Sequence, residues 1–381
     1  MTTTTSLKLE GAPHDASVTS TGKIMRIVMY ALIPALIGEI YFYGFGIVIN
    51  MIIALVTALV TEGIILKLRN HCINRLWRDS SAALTAVLLA FTLPPLVPWY
   101  LTMIGTFFAI AIVKHTFGGL GQNIFNPAMG GFIFLLVSAP LPMTEYVSAV
   151  PNNFMYLTPI KSVQIIFNVN KGQALKDAKI NAYYVLLENR ELSAKGLMKN
   201  IDNLTGPTFL IDAKHEQPNH NVDKFTQENM GNISNYDLFA KVVLSSLFLL
   251  GGVILLITKV IDYRIPLSFF ATFVMMSGIF YAIDPTKFLP IFYHLIFGAT
   301  IFGGFFILTD PVTAVSKPIG AIIYGAVAAI FLIIIRNLGG YPDAIAFSVL
   351  LTNACAPLIT IMTKRKAFGA NSKPGDLYNE Q

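Results

Sequence analysis

The strongest constraint in this 381-residue chain is a set of apolar runs about 18 to 22 residues long, nearly free of charge. That is the length an α-helix needs to cross roughly 30 Å of hydrocarbon. With 54% hydrophobic and 13% charged residues, the chain also lacks the charge that covers soluble domains, where about a quarter of residues are charged. An all-α polytopic membrane protein is expected, with ten candidate spans near 24–43, 45–66, 80–96, 99–117, 126–141, 238–258, 265–283, 290–309, 317–335 and 344–362. Residues 1–22 are polar, with no apolar core ahead of a small-residue cleavage site, so no cleavable signal peptide is expected.

The excess of six positive charges does not point to nucleic acid, because the basic residues form no patch interleaved with aromatics. They collect between and beside spans: Lys23 and Arg26; Lys67, Arg69, Arg75 and Arg78; Lys259 and Arg264; Lys364, Arg365 and Lys366. With ten spans all four groups fall on one side, which the positive-inside rule makes cytoplasmic. Both termini then lie inside and the long polar segment 142–236 outside. Five regions follow: 1–22 a polar N-terminus, 23–141 a first five-helix unit, 142–236 the outer loop, 237–363 a second five-helix unit, and 364–381 a tail. Cys72 and Cys355 are far apart and form neither metal-ligand spacing nor a disulfide framework.

The two units share an order of elements. The first carries Thr92-Leu-Pro94, a span, then Lys114-His-Thr-Phe-Gly118-Gly119; the second carries Thr309-Asp310-Pro311, a span, then Arg336-Asn-Leu-Gly339-Gly340. An odd number of spans per unit inverts the second copy, and inverted repeats with Gly/Pro-broken helices place ligand or ion sites at their interface.

Three motifs fall near membrane depth. Gly118-Gly119-Leu-Gly121-Gln122-Asn123-Ile-Phe-Asn126-Pro127 implies irregular backbone, which lipid cannot satisfy. It reads either as a self-bonded tight turn or as a polar pocket for a ring system or quinone; the glycine spacing is not a dinucleotide fingerprint. Asp310, ahead of Pro311, reads as a helix cap, as a functional intramembrane carboxylate, or both. Asp343 reads as the cap of the last span, with Tyr341 an interfacial anchor, while Glu39, Glu62 and His294 read as packed or interfacial polar groups. In the outer loop, Asp202-Asn203-Leu-Thr205-Gly206-Pro207-Thr208 reads as a turn in which Gly206 supplies backbone freedom and Pro207 stiffness. Asn203-Leu-Thr205 also matches the N-glycosylation triplet, a pattern frequent by chance.

Taken together, Gly118–Met129, Thr309–Ala314 and Gly339–Asp343, with Ala346-Phe347 and Asn353-Ala354 beyond, resemble the D-subunit family of Rnf-type electron-transport complexes, relatives of the B subunit of sodium-pumping NADH:quinone reductases. The resemblance runs from about residue 22 to 362. It implies FMN joined by a phosphoester to the last threonine of an Asp-x-x-Ser/Thr-Gly-Ala-Thr motif, here Thr208, with Asp202, Thr205 and Gly206 as motif residues; Pro207 departs from the usual alanine. It implies Gly118, Gly119, Gln122, Asn123 and Asn126 as cofactor-pocket residues in the membrane part, where the wider family suggests a second, non-covalent flavin such as riboflavin. Asp310 is the candidate for an ion path. Thr360 stands where family members usually carry an aspartate. The implied activity is that of one component, not catalytic alone, in a translocase of a bacterial inner membrane, passing electrons with coupled Na+ or H+ movement. Implied partners are the A and E membrane subunits, the flavin-bearing G subunit and the iron–sulfur B and C subunits, besides the lipid bilayer. The competing reading is a flavin-free secondary transporter or channel on the same repeat.

Overall fold

The computed structural model describes residues 21–71, 79–147, 149, 155, 157–169, 205–206, 235–285, 287–339 and 344–363. Apart from one two-residue strand pair, the regular structure among them is helical. In chain order the helices are α1 (Thr21–Tyr43, with an irregular turn at Leu32 before Pro34), α2 (Gly46–Leu68), α3 (Ser81–Thr92) and α4 (Trp99–Lys114). Next come α5 (Pro127–Ser138), α6 (Pro140–Thr144), α7 (Pro159–Ile166), α8 (Asn235–Ile257), α9 (Arg264–Ile283) and α10 (Ile291–Ile296). The last three are α11 (Thr300–Phe302), α12 (Pro318–Leu338) and α13 (Ile345–Met362). Six of these segments, α1, α2, α8, α9, α12 and α13, are long and apolar enough to cross a membrane. The chain is a helical multi-pass membrane protein.

Its outer surface explains the absence of amphipathic patterning. Ile52, Val56, Val60, Ile64 and Leu68 repeat every fourth residue along α2 and all stand exposed. In water such a stripe would be an association surface; in a bilayer it faces lipid. The interior is aromatic where the two units meet. Phe248 on α8 lies 5.7 Å from Phe91 on α3 and 5.0 Å from Phe302 on α11, ring centre to ring centre. Between α9 and α12 the backbones approach closely: a Cβ on Gly325 would strike Ser268 Oγ and the Ile265 carbonyl.

Helices that break inside the bundle have their freed carbonyls met by side chains. After α3 the chain turns through Leu93-Pro94-Pro95. Asn50, buried on α2, donates Nδ2 to the Pro95 carbonyl at 2.9 Å and accepts from Thr102 Oγ1 at 3.1 Å. One turn earlier, Gly46 leaves room for that same Pro95 carbonyl. The predicted span 290–309 is not one helix: α10 stops at Ile296, Gly298 and Ala299 adopt φ of 78° and 54°, and α11 starts afresh at Thr300. Buried Arg336 on α12 serves this break, its guanidinium donating to the His294 carbonyl (2.7 Å), the Gly298 carbonyl (3.0 Å) and Thr300 Oγ1 (3.1 Å). Sequence reading missed this because Gly298 alone does not announce a break; the positive φ at Ala299 is imposed by the tertiary structure.

The polar loop is partly built onto one end of the bundle. Tyr146–Val147 pairs antiparallel with Thr205–Gly206, and Tyr146 donates its hydroxyl to the Thr92 carbonyl at 3.3 Å. Asp237, at the start of α8, accepts from the Ala149 amide at 3.0 Å. Leu157 seats in the notch at Gly44, where φ is 85° and a Cβ would collide with the leucine. We call this the loop end.

Removing the guanidinium in Arg336→Leu takes away the donor to the Gly298 carbonyl and to Thr300 Oγ1 and leaves the His294 carbonyl with Thr300 Oγ1 as its remaining side-chain donor. It should lower stability by about 3 kcal/mol, read as a fall in the thermal unfolding midpoint in detergent; an unchanged midpoint would refute the capping role.

Candidate functional site

At the end of the bundle opposite the loop, two of the sequence motifs converge. The last turns of α4 loosen into a π-helix over Phe108–Lys114, and α11 continues as a second π-helix, Gly303–Ile307. Single-turn π segments are frequently found at functional sites. The first leads into the glycine-rich loop, the second into Thr309-Asp310-Pro311.

The glycine-rich loop is folded largely on itself. Gly118, Gly119 and Gly121 hold φ of 118°, 101° and 91°, which side chains rarely adopt. Gln122 is exposed and lays its amide over Gly118, where any Cβ would clash with it. Asn126 caps α5, its Oδ1 accepting from the amides of Ala128 (3.0 Å) and Met129 (3.3 Å), with Pro127 in the first turn. Asn123 donates to the Phe125 carbonyl at 3.1 Å, but its buried Oδ1 has no hydrogen-bond partner among the described residues.

Asn123 borders a cavity of about 30 Å³ that is also lined by Asn126, Ser81, Thr85, Lys114 and Asp310 among others. Asp310 works as a turn cap, accepting from the Val312 amide (3.4 Å) and Thr313 Oγ1 (3.1 Å), and also borders a neighbouring cavity of about 20 Å³ with Thr309 and Pro311. The expected helix cap is thus a turn cap, because the next helix, α12, begins only at Pro318 behind Lys317, while the reading as a functional carboxylate is compatible with its position. The main cavity admits one or two water-sized groups, far short of the roughly 300–1,000 Å³ of pockets for organic ligands. An ion or water fits this space as it stands.

Gly118 and Gly119 border a separate cavity of about 20 Å³ with Glu62, Arg69, His71, Asp79 and His115. Lys114 lies between the two spaces. Its ammonium, 2% exposed, donates to both oxygens of Glu62 (2.7 and 2.8 Å) and to Ser81 Oγ (2.8 Å). His115 Nε2 stands 3.8 Å from the same carboxylate, beyond hydrogen-bond reach. Sequence reading took Glu62 as a packed polar group and passed over Lys114 as a partner. The available signal was that a lone carboxylate and a lone ammonium, both within apolar helices, each need an opposite charge.

Of the other expected cofactor residues, Thr205 and Gly206 form the strand at the loop end, far along the chain from these cavities. Asp202 and Thr208, and Asp343 in the last motif, lie outside the described residues.

Glu62→Gln removes a carboxylate that the buried Lys114 ammonium bonds through both oxygens. A loss of about 3–5 kcal/mol is expected, measured by thermal or denaturant unfolding in detergent. The double variant Glu62→Gln/Lys114→Met, which removes both charges, should regain most of it; if the double variant is no more stable than the single, the pair is not coupled.

Compared with known proteins, residues 8–369 match the NQR2, RnfD, RnfE family. A relative from Psychromonas ingrahamii is 38% identical over 363 residues, covering 95% of this chain and 98% of its own. Relatives from Aliivibrio salmonicida (37%) and from Escherichia coli O139:H28 (34%) each align over 372 residues with the same coverage. All three are named as the D subunit of an ion-translocating oxidoreductase complex. The matched span takes in the glycine-rich loop, Asp310 and the Lys114–Glu62 pair alike, and on these matches the chain belongs to the NQR2, RnfD, RnfE family.

Proposed function

We propose that this chain is the flavin-carrying membrane component of an Rnf-type complex, passing electrons between its partners while Na+ or H+ crosses the membrane. The observation that carries the proposal is the near full-length match to relatives named as subunits of ion-translocating oxidoreductases, together with Asp202-Asn-Leu-Thr-Gly-Pro-Thr208 in the loop. FMN on Thr208 would supply one- and two-electron transfer, which no side chain here provides. What the chain contributes is position. Thr205 and Gly206 are paired to Tyr146–Val147, which is tied by Tyr146 to the end of α3. That anchorage restrains the segment just before Thr208.

The ten-span inverted repeat gains support from a correspondence in side-chain chemistry. α3 begins at Ser81 after Ser80 at φ 53°, and α11 begins at Thr300 after Ala299 at φ 54°. Ser81 accepts from Lys114, Thr300 from Arg336, each a buried cation near the end of the following apolar helix and just ahead of a glycine pair. Under the inverted topology the Lys114 clamp would lie at the cytoplasmic end and the Arg336 clamp at the outer end, beneath the loop. Asp310, bordering two small cavities, is the proposed ion-path residue. The A, B, C, E and G subunits of such complexes are the proposed partners.

The denatured protein should fluoresce as a flavin band on a gel and carry the intact mass of one added FMN. Thr208→Ala should lose both; fluorescence that survives this change would put the flavin elsewhere, and a dark wild-type band would favour a flavin-free transporter. Asp310→Asn should retain the flavin band but cut ion uptake by inverted membrane vesicles at least tenfold relative to electron flux. Equal uptake at equal flux would remove Asp310 from the path.

A further inference from the structure

Within the polar loop, α7 is an amphipathic element that the sequence reading passed over. Thr158 caps it, accepting from the Lys161 amide at 3.5 Å, and Pro159 opens its first turn. Its residues sort into three stripes. Ser162, Ile165 and Ile166 are buried against the bundle, where α7 packs on α2. Lys161 and Gln164 are half-buried and polar. Ile160, Val163 and Phe167 are exposed and apolar, Ile160 at 73%. At 100° per residue the three stripes centre roughly 100–140° apart around the helix. A helix on a water-facing surface needs two faces, one for the core and one for water. A third, apolar and exposed, calls for a third environment.

Phe167 indicates which. Its ring stacks on Trp99, 5.9 Å away and 14° from parallel. Trp99 and Tyr100 open α4, and both are exposed, as are Met103, Ile104 and Phe107 further along the same helix. That face of α4 is continuous with the lipid-facing surface, and Trp and Tyr concentrate where hydrocarbon meets headgroups. Three side chains are also too small a patch for a stable protein partner, which takes roughly 800 Å² from each side. We propose that α7 is an interfacial helix, with Ile160, Val163 and Phe167 dipping into the acyl–headgroup boundary of the phospholipid leaflet at the loop end and Lys161 beside the lipid phosphates. The helix thereby holds its part of the polar loop at the level of the headgroups. This inference rests on the multi-pass reading and not on the flavin.

The test uses the full-length chain carrying Cys72→Ser and Cys355→Ser, in nanodiscs of phosphatidylcholine and phosphatidylglycerol. Spin labels are placed one at a time through Ile160→Cys, Val163→Cys, Gln164→Cys and, as a membrane reference, Val60→Cys. Power saturation then compares oxygen with the water-soluble relaxant NiEDDA. Labels at 160 and 163 should be relaxed several-fold more by oxygen than by NiEDDA, at a shallower depth than 60, while the label at 164 should favour NiEDDA. If 160 and 163 favour NiEDDA while 60 favours oxygen, the helix lies in water and the inference fails. If 160 and 163 are closed to both relaxants, a protein surface covers them and it fails equally. NiEDDA access at 60 would instead overturn the multi-pass reading itself.

Discussion

In a bilayer the backbone must find all its hydrogen bonds inside the protein, and this bundle is shaped by how its interrupted helices meet that demand. The Pro94-Pro95 turn relies on Asn50, reaching across from α2. The break between α10 and α11 relies on Arg336, whose planar fork addresses two carbonyls and a hydroxyl at once. Neither contact is local in sequence. Each fixes a break in one helix to a second helix, so that irregular backbone and tertiary packing are specified together. The cavities then occur where such breaks lie close: beside the start of α3, the glycine-rich loop and Asp310.

The two buried cations solve similar problems with different partners. Lys114 bonds the Glu62 carboxylate, while Arg336 donates to the His294 and Gly298 carbonyls and the Thr300 hydroxyl at a helix break. A planar fork suits several separated oxygens at once; a compact ammonium suits the two oxygens of one carboxylate. Glu62 and Lys114 border different cavities, so the ion pair forms the wall between them.

Much of this was legible from the chain alone, and the reasons are specific. Apolar run length located the six long helices, because hydrocarbon thickness admits few alternatives, but it could not tell whole helices from the shorter and broken ones among the ten expected spans. The span expected from residue 126 begins as α5 at Pro127, whereas Asp310 caps a turn and not the helix start expected of it before Pro311. What could not be read depended on pairing across the bundle. Nothing near Glu62 in sequence names Lys114, 52 residues away, and nothing near His294 names Arg336. The platform at the loop end was hidden for another reason. α7 has eight residues divided among three environments, so neither hydrophobic length nor simple two-sided periodicity marks it. The size of the cavity beside Asn123 is a property of packing that composition does not encode.

The π-helix that ends α4 has one further implication, for insertions and deletions. Its wider turn accommodates an extra residue, with His115 bonded back to Ile110, five positions earlier. Deleting one residue between Phe108 and Val113 would let the bulge relax to an ordinary α-helix, absorbing the loss, so that the turns on either side keep their register. The same deletion earlier in α4, between Trp99 and Phe107, would turn everything beyond it by about 100°. The ammonium of Lys114 would then swing away from Glu62, and the glycine-rich loop would be dragged with it. The bulge is therefore the stretch of α4 that tolerates a lost residue, while the regular turns before it do not.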